Sequence, residues 1–210
     1  IHESQSRMME NIVGRSRGFW QAYYLPLQST FPEQLSDYSV EDFYRAVNKV
    51  QPSYIRVEAD ELTYNFHIIL RFELEQALMT GDLAVQDVPV AWNDKMDELL
   101  GVVPQTDTEG CLQDVHWTRP MFGYFPTYAL GNLYSAQFYE AAVEQAPEIA
   151  EEMAVGKTDA LLGWLGENIH QHGRKFTPRE LVQRITGQSL SHEPFIRYVT
   201  AKFSDIYDLA

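Results

Sequence analysis

Four short segments of this 210-residue chain bring together side chains that could do chemistry. Residues 2–7 read H-E-S-Q-S-R, residues 55–60 read I-R-V-E-A-D, residues 110–117 read G-C-L-Q-D-V-H-W, and residues 122–128 read F-G-Y-F-P-T-Y. Carboxylates and imidazoles bind metal ions, guanidinium groups bind carboxylates, and imidazoles transfer protons. Each segment alone also has a plain structural explanation, such as a helix-start glutamate, an ion-paired arginine, a core histidine or aromatic packing.

The first three segments resemble, in the same order, three motifs of the M32 family of zinc metallocarboxypeptidases. Those motifs are H-E-S-Q, I-R-x-x-A-D and G-x-x-Q-D-x-H-W, and the similarity continues through residues 122–128 and the helical tail. Three multi-residue matches in order argue against coincidence. The chain is therefore identified as similar to the C-terminal part of an M32 (carboxypeptidase Taq-like) enzyme.

The chain departs from that family in one respect, because it contains no H-E-x-x-H, H-P-F or D-x-R-x-T motif. In the family these motifs precede H-E-S-Q, so we expect a chain shortened on its N-terminal side rather than a loss of function. The resemblance implies that the two histidines of H-E-x-x-H bind zinc. Its glutamate would be the general base for attack of activated water on the last peptide bond. We therefore expect this segment alone to be inactive.

The resemblance assigns the third metal ligand to Glu3. A carboxylate oxygen is a suitable third protein ligand for catalytic zinc, which keeps one position open for water. His2 and Gln5 are expected to hold the Glu3 carboxylate in place. Zinc is the implied metal, and cobalt can substitute for it in some family members.

The third and fourth segments are expected to supply catalytic groups. His116 is the candidate for binding the substrate carbonyl or the developing oxyanion, and a hydroxyl of Tyr124 or Tyr128 could donate to the same oxygen. The two tyrosines are four residues apart and share a face if a helix has begun there. Packing in an aromatic core explains each tyrosine equally well. Gln113 and Asp114 are expected to orient His116, and Gln113 is also a candidate, with Arg56, for binding the substrate.

A carboxypeptidase must also recognise a free C-terminal carboxylate, and Arg56 offers a guanidinium fork for a bidentate pair. The structural alternative for Arg56 is a salt bridge to Glu58 or Asp60. His67 and Arg71 are four residues apart on a predicted helix. They could face the substrate groove or form a hydrogen-bond network in the core.

The leading hypothesis is a metal-dependent carboxypeptidase that acts on peptides with a free C-terminus. The resemblance further implies broad specificity with proline mostly excluded, a cytoplasmic location and a homodimer. The alternative hypothesis is a non-catalytic helical module for assembly, in which the motifs are remnants. Activity of the complete gene product with added metal separates the two hypotheses.

The elements around these segments are predicted to be almost entirely helical. We predict helices over residues 2–28, 39–50, 60–80, 89–101, 125–145, 159–171, 177 onward and 191 onward, with a possible strand at 53–57. The buried face of the long third helix is predicted to consist of Leu62, Phe66, Ile69, Leu70, Leu74 and Leu78. The fold class is thus mainly α, the C-terminal portion of a multi-helix zincin-like carboxypeptidase fold with a possible small β-ribbon, in one domain over residues 1–210.

Composition limits the other function classes. The net charge of −14 disfavours nucleic acid as a partner, because phosphate binding needs clustered Lys and Arg. No apolar run approaches the roughly 18 residues that span a bilayer, so we expect no membrane partner. The single cysteine, Cys111, cannot form an internal disulfide, which fits a reducing compartment.

Overall fold

A computed structural model describes residues 1–209, and every regular element in that range is helical. The α-helices are α1 (His2–Arg7), α2 (Arg17–Thr30), α3 (Pro32–Leu35), α4 (Val40–Val47), α5 (Tyr64–Thr80), α6 (Val88–Leu100), α7 (Pro126–Gln145), α8 (Glu148–Ala154), α9 (Asp159–Asn168), α10 (Pro178–Thr186) and α11 (Glu193–Tyr207). A π-helical segment, Met8–Val13, follows α1 directly. The mainly α prediction is confirmed.

The strand expected at residues 53–57 is wrong, because the chain turns there. Ile55 is extended, but the N–H of Glu58 donates to the Ile55 carbonyl at 3.2 Å and closes the short 3-10 helix Arg56–Glu58. Two further 3-10 helices are Val85–Asp87 and His170–His172. None of the helices within residues 1–209 is both long and apolar enough to cross a bilayer.

The described residues form two compact units. The first unit comprises residues 1–48 together with those from 130 onward, and α2 in it packs on α4 and α8. Its core consists of Met8, Ile12, Val13, Tyr134, Phe138, Ala141, Ala142, Ile149, Met153, Leu161, Trp164, Leu165, Ile169, Leu181, Val182 and Ile185. Burial of these apolar side chains, at about 25 cal/mol per Å², is the main favourable term that holds the unit together.

The second unit comprises residues 49–129, and in it α5 packs against α6. One core cluster consists of Leu70, Leu74, Trp92, Met96 and Leu100. A second cluster consists of Tyr64, Ile68 and Phe125, with Tyr128 and Ala59 packed against it. Gly81 ends α5 in the left-handed conformation at φ 83°, which glycine adopts without steric cost.

The predicted buried face of α5 is partly wrong. Leu70 and Leu74 are buried, but Phe66 and Ile69 are 38% and 40% exposed. The helix is rotated because it buries polar side chains as well as apolar ones. Its buried polar stripe consists of Tyr64, His67, Arg71 and Glu75. Hydrogen bonds from this stripe, described below, position the functional segments of the second unit.

Two predicted helix starts are confirmed by their side-chain caps. Ser39 accepts a hydrogen bond from the N–H of Asp42, whose carboxylate accepts from the Ser39 N–H in return. Thr177 and Glu180 form the same reciprocal capping box at the start of α10. Such caps stabilise a helix by about 1 kcal/mol, so the local sequence determines these boundaries.

Candidate functional site

A shared carboxylate organises the second unit. Asp114 Oδ1 accepts from Arg56 Nη2 at 2.6 Å and from Arg56 Nε at 3.1 Å. Asp114 Oδ2 accepts from Arg71 Nε at 2.6 Å. The Arg71 side chain is fully buried and the Arg56 side chain is 8% exposed, so both pairs lie largely out of water. The expected ion-pair alternatives for Arg56, Glu58 or Asp60, are wrong, because its carboxylate partner is Asp114.

Gln113 ties the same two arginines together a second time. Its carbonyl oxygen accepts from the Arg56 backbone N–H at 2.9 Å and from Arg71 Nη2 at 2.8 Å. Its amide nitrogen donates to the carbonyl oxygens of Tyr54 at 3.0 Å and Glu109 at 2.7 Å. The side chain is thus hydrogen-bonded at both ends, which holds the 110–117 segment against the Arg56 turn.

Asp60 positions that turn from the other side. Its carboxylate accepts from the N–H groups of Leu62 and Thr63, both at 2.9 Å, and from the N–H of Gln51 at 3.0 Å. The aspartate of the I-R-V-E-A-D segment is therefore a turn cap in front of α5. This cap lies between the 3-10 helix that contains Arg56 and the first turn of α5.

The charges in this network stabilise each other. Burial alone would raise the pKa of Asp114, but the hydrogen bond from Arg56 and the charge of Arg71 hold that pKa below its usual value. Burial lowers the pKa of Arg71 to about 10, so its guanidinium is still charged at pH 7. Asp114 is therefore ionised between two cations.

His116 and two tyrosines lie beside Arg56. His116 Nε2 is 3.2 Å from the hydroxyl oxygen of Tyr128. The Arg56 guanidinium carbon is 5.1 Å from the centroid of the Tyr128 ring, and Arg56 Nη1 donates to the hydroxyl of Tyr64 at 3.1 Å. The Tyr124 ring is 5.4 Å from the Tyr128 ring and is 42% exposed. Both expected tyrosines thus belong to an aromatic cluster around the imidazole.

The surroundings of the His116 imidazole favour its neutral form. Burial lowers its pKa because desolvation disfavours the cation. The charge of Asp114 opposes this shift, and the charges of Arg56 and Arg71 add to it. Asp114 Oδ1 lies 3.8 Å from Nδ1, which is beyond hydrogen-bond distance. The hydrogen bonds of Asp114 go to the two arginines, and its expected role in orienting His116 stays a prediction.

Glu75 is a buried carboxylate that sequence reasoning missed. Its two oxygens accept from the Trp117 indole N–H at 2.8 Å and from the Gly123 N–H at 3.0 Å. It therefore fastens both ends of residues 117–123 to α5. The signal that could have identified it is the spacing of polar residues 67, 71 and 75 on one helical face.

His67 predicts a specific pH dependence of stability. The side chain is fully buried, neither ring nitrogen has a hydrogen-bond partner among residues 1–209, and desolvation with the charge of Arg71 lowers its pKa from 6.5 to about 4. Between these values the unfolded chain binds the proton and the folded chain does not, so stability is lost as pH falls. The expected loss is about 3 kcal/mol from this group.

Denaturant titrations between pH 7 and pH 4 measure this loss. The quantity compared is the slope of the free energy of unfolding against pH. In His67→Leu the part of this slope that His67 contributes should disappear. His192 is exposed, so His192→Gln should leave the slope intact. An unchanged slope in His67→Leu contradicts the assignment.

Glu3 lies in the first unit, in the first turn of α1. Its carboxylate is 37% exposed, lies 3.2 Å from Arg7 Nε, and is 3.4 Å from the hydroxyl of Ser6. Gln5 donates to the hydroxyl of Ser4 at 3.2 Å, and its Oε1 lies 2.9 Å from Nε2 of His170. The expected support of Glu3 by His2 and Gln5 stays a prediction.

Gly131 of α7 allows the backbone of α1 to approach at Glu3. A Cβ atom at position 131 would lie 2.7 Å from Glu3 Cγ and 3.0 Å from Glu3 Cβ, closer than real contacts. The Glu3 side chain therefore takes its position against a surface that only glycine leaves open. This contact is a second feature that the motifs did not reveal.

Replacing Gly131 by alanine should displace the Glu3 carboxylate. If Glu3 is a metal ligand, the complete gene product should lose about 10-fold or more in metal affinity, the range typical of disturbed ligand support. Gly163→Ala is the matched helical control, because nothing lies within 4 Å of an added Cβ there. Equal metal affinity in the two variants contradicts this reading.

The side chains described above supply only part of the ligand set that a catalytic metal ion needs. A catalytic zinc site needs three protein ligands, and residues 1–209 contain no group of three or more His, Cys, Asp or Glu side chains placed to hold a metal ion. The carboxylate of Glu3 is chemically suited to one of the three ligand positions. Residues 1–209 could therefore supply one protein ligand, Glu3, to such a metal site.

Comparisons with known proteins agree with the motifs. The sequence model for carboxypeptidase Taq (M32) metallopeptidases matches residues 1–203. The chain is 48% identical to thermostable carboxypeptidase 1 of Thermus thermophilus and 45% identical to carboxypeptidase 1 of Bacillus subtilis, each over 99% of this chain. It spans 40% and 41% of the length of these relatives, respectively.

Solved structures give the same result. The fold superimposes on the crystal structure of an M32 carboxypeptidase from Deinococcus radiodurans with a TM-score of 0.96 and 48% identity, covering 100% of this chain and 42% of that one. Metallocarboxypeptidase 1 of Trypanosoma cruzi superimposes with a TM-score of 0.89 at 37% identity, over 98% of this chain and 41% of that one. The chain therefore belongs to the carboxypeptidase Taq (M32) metallopeptidase family.

Proposed function

We propose that the complete gene product carrying this chain is a metal-dependent carboxypeptidase that releases C-terminal amino acids from peptides. The observation that carries the proposal is the cluster in the second unit, where the Arg56 guanidinium, the His116 imidazole and the Tyr128 hydroxyl lie together. At the end of a peptide, a free carboxylate is one residue away from the bond to be cleaved. A cation could bind that carboxylate, while the neutral hydrogen-bonding groups beside it could bind the carbonyl of that bond.

Arg56 is the proposed binding group for the C-terminal carboxylate. Its guanidinium is held by Asp114 and Tyr64 and lies over aromatic rings, so little side-chain freedom is lost when a ligand binds. Because it is largely buried, its attraction for a carboxylate is weakened less by water and salt than that of a surface arginine.

His116 and Tyr128 are proposed to act together on the scissile carbonyl oxygen. With Nε2 and the hydroxyl oxygen 3.2 Å apart, a neutral imidazole can donate its Nε2–H to the Tyr128 hydroxyl, which in turn donates a hydrogen bond to the substrate oxygen. Such a donor stabilises charge on the oxygen as the bond is attacked and is typically worth about 10²–10³ in rate. Tyr124, more exposed, is proposed as a second hydroxyl at the edge of this cluster.

Glu3 is the proposed contribution of the first unit. When bound, a divalent cation, zinc in this proposal with cobalt as a substitute, supplies Lewis acidity that activates water and polarises the carbonyl. The Glu3 carboxylate would exchange its ion pair with Arg7 for one ligand position.

The test is hydrolysis of matched peptides by the complete gene product. Peptides with a free C-terminus should be shortened one residue at a time, their C-terminal amides should be hydrolysed only weakly, and a chelator should stop the reaction until zinc or cobalt is restored. Activity that is equal on acid and amide, or unaffected by chelation, contradicts the proposal. Complete inactivity with every metal would favour the non-catalytic assembly module.

We also propose that this protein acts as a cytoplasmic homodimer. The support is the family resemblance together with the lone cysteine, Cys111, which suits a reducing compartment. Light scattering of the complete gene product tests the dimer, because a monomer mass across the working concentration range contradicts it.

A further inference from the structure

Arg71 has no place in the reaction as proposed, yet it is the most deeply buried cation of the second unit. Its Nε binds Asp114 Oδ2, its Nη2 binds Gln113, and its Nη1 donates to the His67 carbonyl at 2.8 Å. The guanidinium carbon also lies 4.5 Å from the centroid of the Trp92 ring. Because the side chain is fully buried, substrate has no direct access to it.

Arg71 changes how Asp114 can bind Arg56, because it occupies one of the two carboxylate oxygens. A carboxylate can accept both N–H groups of one guanidinium through its two oxygens, and this fork is the strongest arginine–carboxylate geometry. Here Arg71 takes Oδ2 at 2.6 Å, and Arg56 is left mainly with Oδ1, its contact to Oδ2 being 3.5 Å. Asp114 is therefore divided between two cations.

The hydrogen-bonded trio of Arg56, Arg71 and Asp114 consequently carries one net positive charge. The carboxylates of Glu75 and Asp60 have other partners. Glu75 accepts from Trp117 and Gly123, and the carboxylate of Asp60 caps the turn before α5. The positive charge that Asp114 leaves unbalanced lies at the Arg56 end, where some surface is exposed.

We propose that Arg71 is a positioning residue that occupies one oxygen of Asp114 and so keeps Arg56 available for the C-terminal carboxylate of the substrate. Without Arg71, Asp114 would close a two-oxygen fork with Arg56 and neutralise it. The incoming carboxylate would then have to compete with an internal one. This inference rests on the proposed carboxypeptidase function.

Charge balance can be restored without Arg71, which provides the test. Arg71→Met lowers the charge of the trio to zero, and adding Asp114→Asn returns it to plus one. In the complete gene product, Arg71→Met should raise KM for free-acid peptides about tenfold, with kcat changing much less. The Arg71→Met/Asp114→Asn double variant should recover several-fold of that loss. Arg71→Lys, which keeps the charge but not the fork, should lie between wild type and Arg71→Met.

Leu74→Ala is the control for general damage to α5, because Leu74 is buried in the same helix and its apolar side chain makes none of the hydrogen bonds of Arg71. It should lower the melting temperature and leave KM near the wild-type value. An unchanged KM in Arg71→Met, or a double variant no better than Arg71→Met, overturns the inference. If wild type does not prefer free-acid peptides to their amides, the carboxypeptidase proposal itself fails, whatever Arg71 does.

Discussion

Replacing Glu3 by alanine in the complete gene product is expected to remove its metal ion and almost all of its peptidase activity. A catalytic metal with three protein ligands has no spare ligand. Changes that only disturb ligand support cost about 10–100-fold in affinity, so loss of a ligand should cost more than about 100-fold. Metal content by elemental analysis and hydrolysis of a free-acid peptide, measured on the same sample, check both parts.

Glu10→Ala is the matched control for Glu3→Ala. Glu10 is also an exposed carboxylate paired with Arg7, at 3.1 Å, so its loss disturbs the same arginine. It should keep the normal metal content and activity. Full metal content in Glu3→Ala would remove Glu3 from the ligand set, and metal loss in both variants would show that the Arg7 ion pairs matter instead.

Replacing Arg56 by alanine is expected to raise KM for free-acid peptides by roughly 100-fold, with a smaller effect on kcat. Truncating one partner of a buried charge pair costs about 2–5 kcal/mol of binding. The effect should be confined to substrates with a free carboxylate. The weak hydrolysis of a C-terminal amide should change little, because no carboxylate is lost there. Steady-state kinetics on the matched acid and amide measure this difference.

Arg56→Lys separates charge from geometry, because lysine keeps a cation but cannot form the fork. We expect it to recover only part of the KM. Arg197→Ala, at an arginine 56% exposed and paired with Glu140, should behave as wild type. Unchanged kinetics in Arg56→Ala would assign Arg56 to a structural role with Asp114.

The helices could be predicted closely where local chemistry determines them. The capping boxes at Ser39 and Thr177 and the glycine after α5 act within one turn of the chain, so the sequence nearby contains the whole cause. The strand at 53–57 could not be excluded in this way. The backbone at this segment is turned by hydrogen bonds that its own β-prone residues do not predict. Gln113, which is distant in sequence, accepts from the Arg56 N–H, and Asp60 accepts from the N–H of Gln51 across the turn itself.

The motifs indicated candidate site residues, whose roles stay predictions, but they did not indicate the hydrogen-bond partners of those residues. Asp114 is adjacent to Gln113 in sequence and close to His116, which suggested that it serves the imidazole. Its hydrogen bonds instead reach Arg56 and Arg71, 58 and 43 residues away. Such pairings depend on how α5 rotates in the core, and the apolar pattern alone predicted the wrong rotation. A helix that buries charges is not described by hydrophobic periodicity.

The polar stripe of α5 limits how this protein can be changed by evolution or by design. Losing one member of a buried ion pair usually costs about 3–5 kcal/mol, much of the stability of a typical domain. Arg71 forms such a pair with Asp114, and Glu75 binds the Trp117 indole, so a single exchange at 71 or 75 leaves a companion group without its counterpart. Joint exchanges will be far from additive. Library designs should vary positions 71 and 75 together with 113, 114 and 117, and keep the exposed face of α5 for independent substitutions.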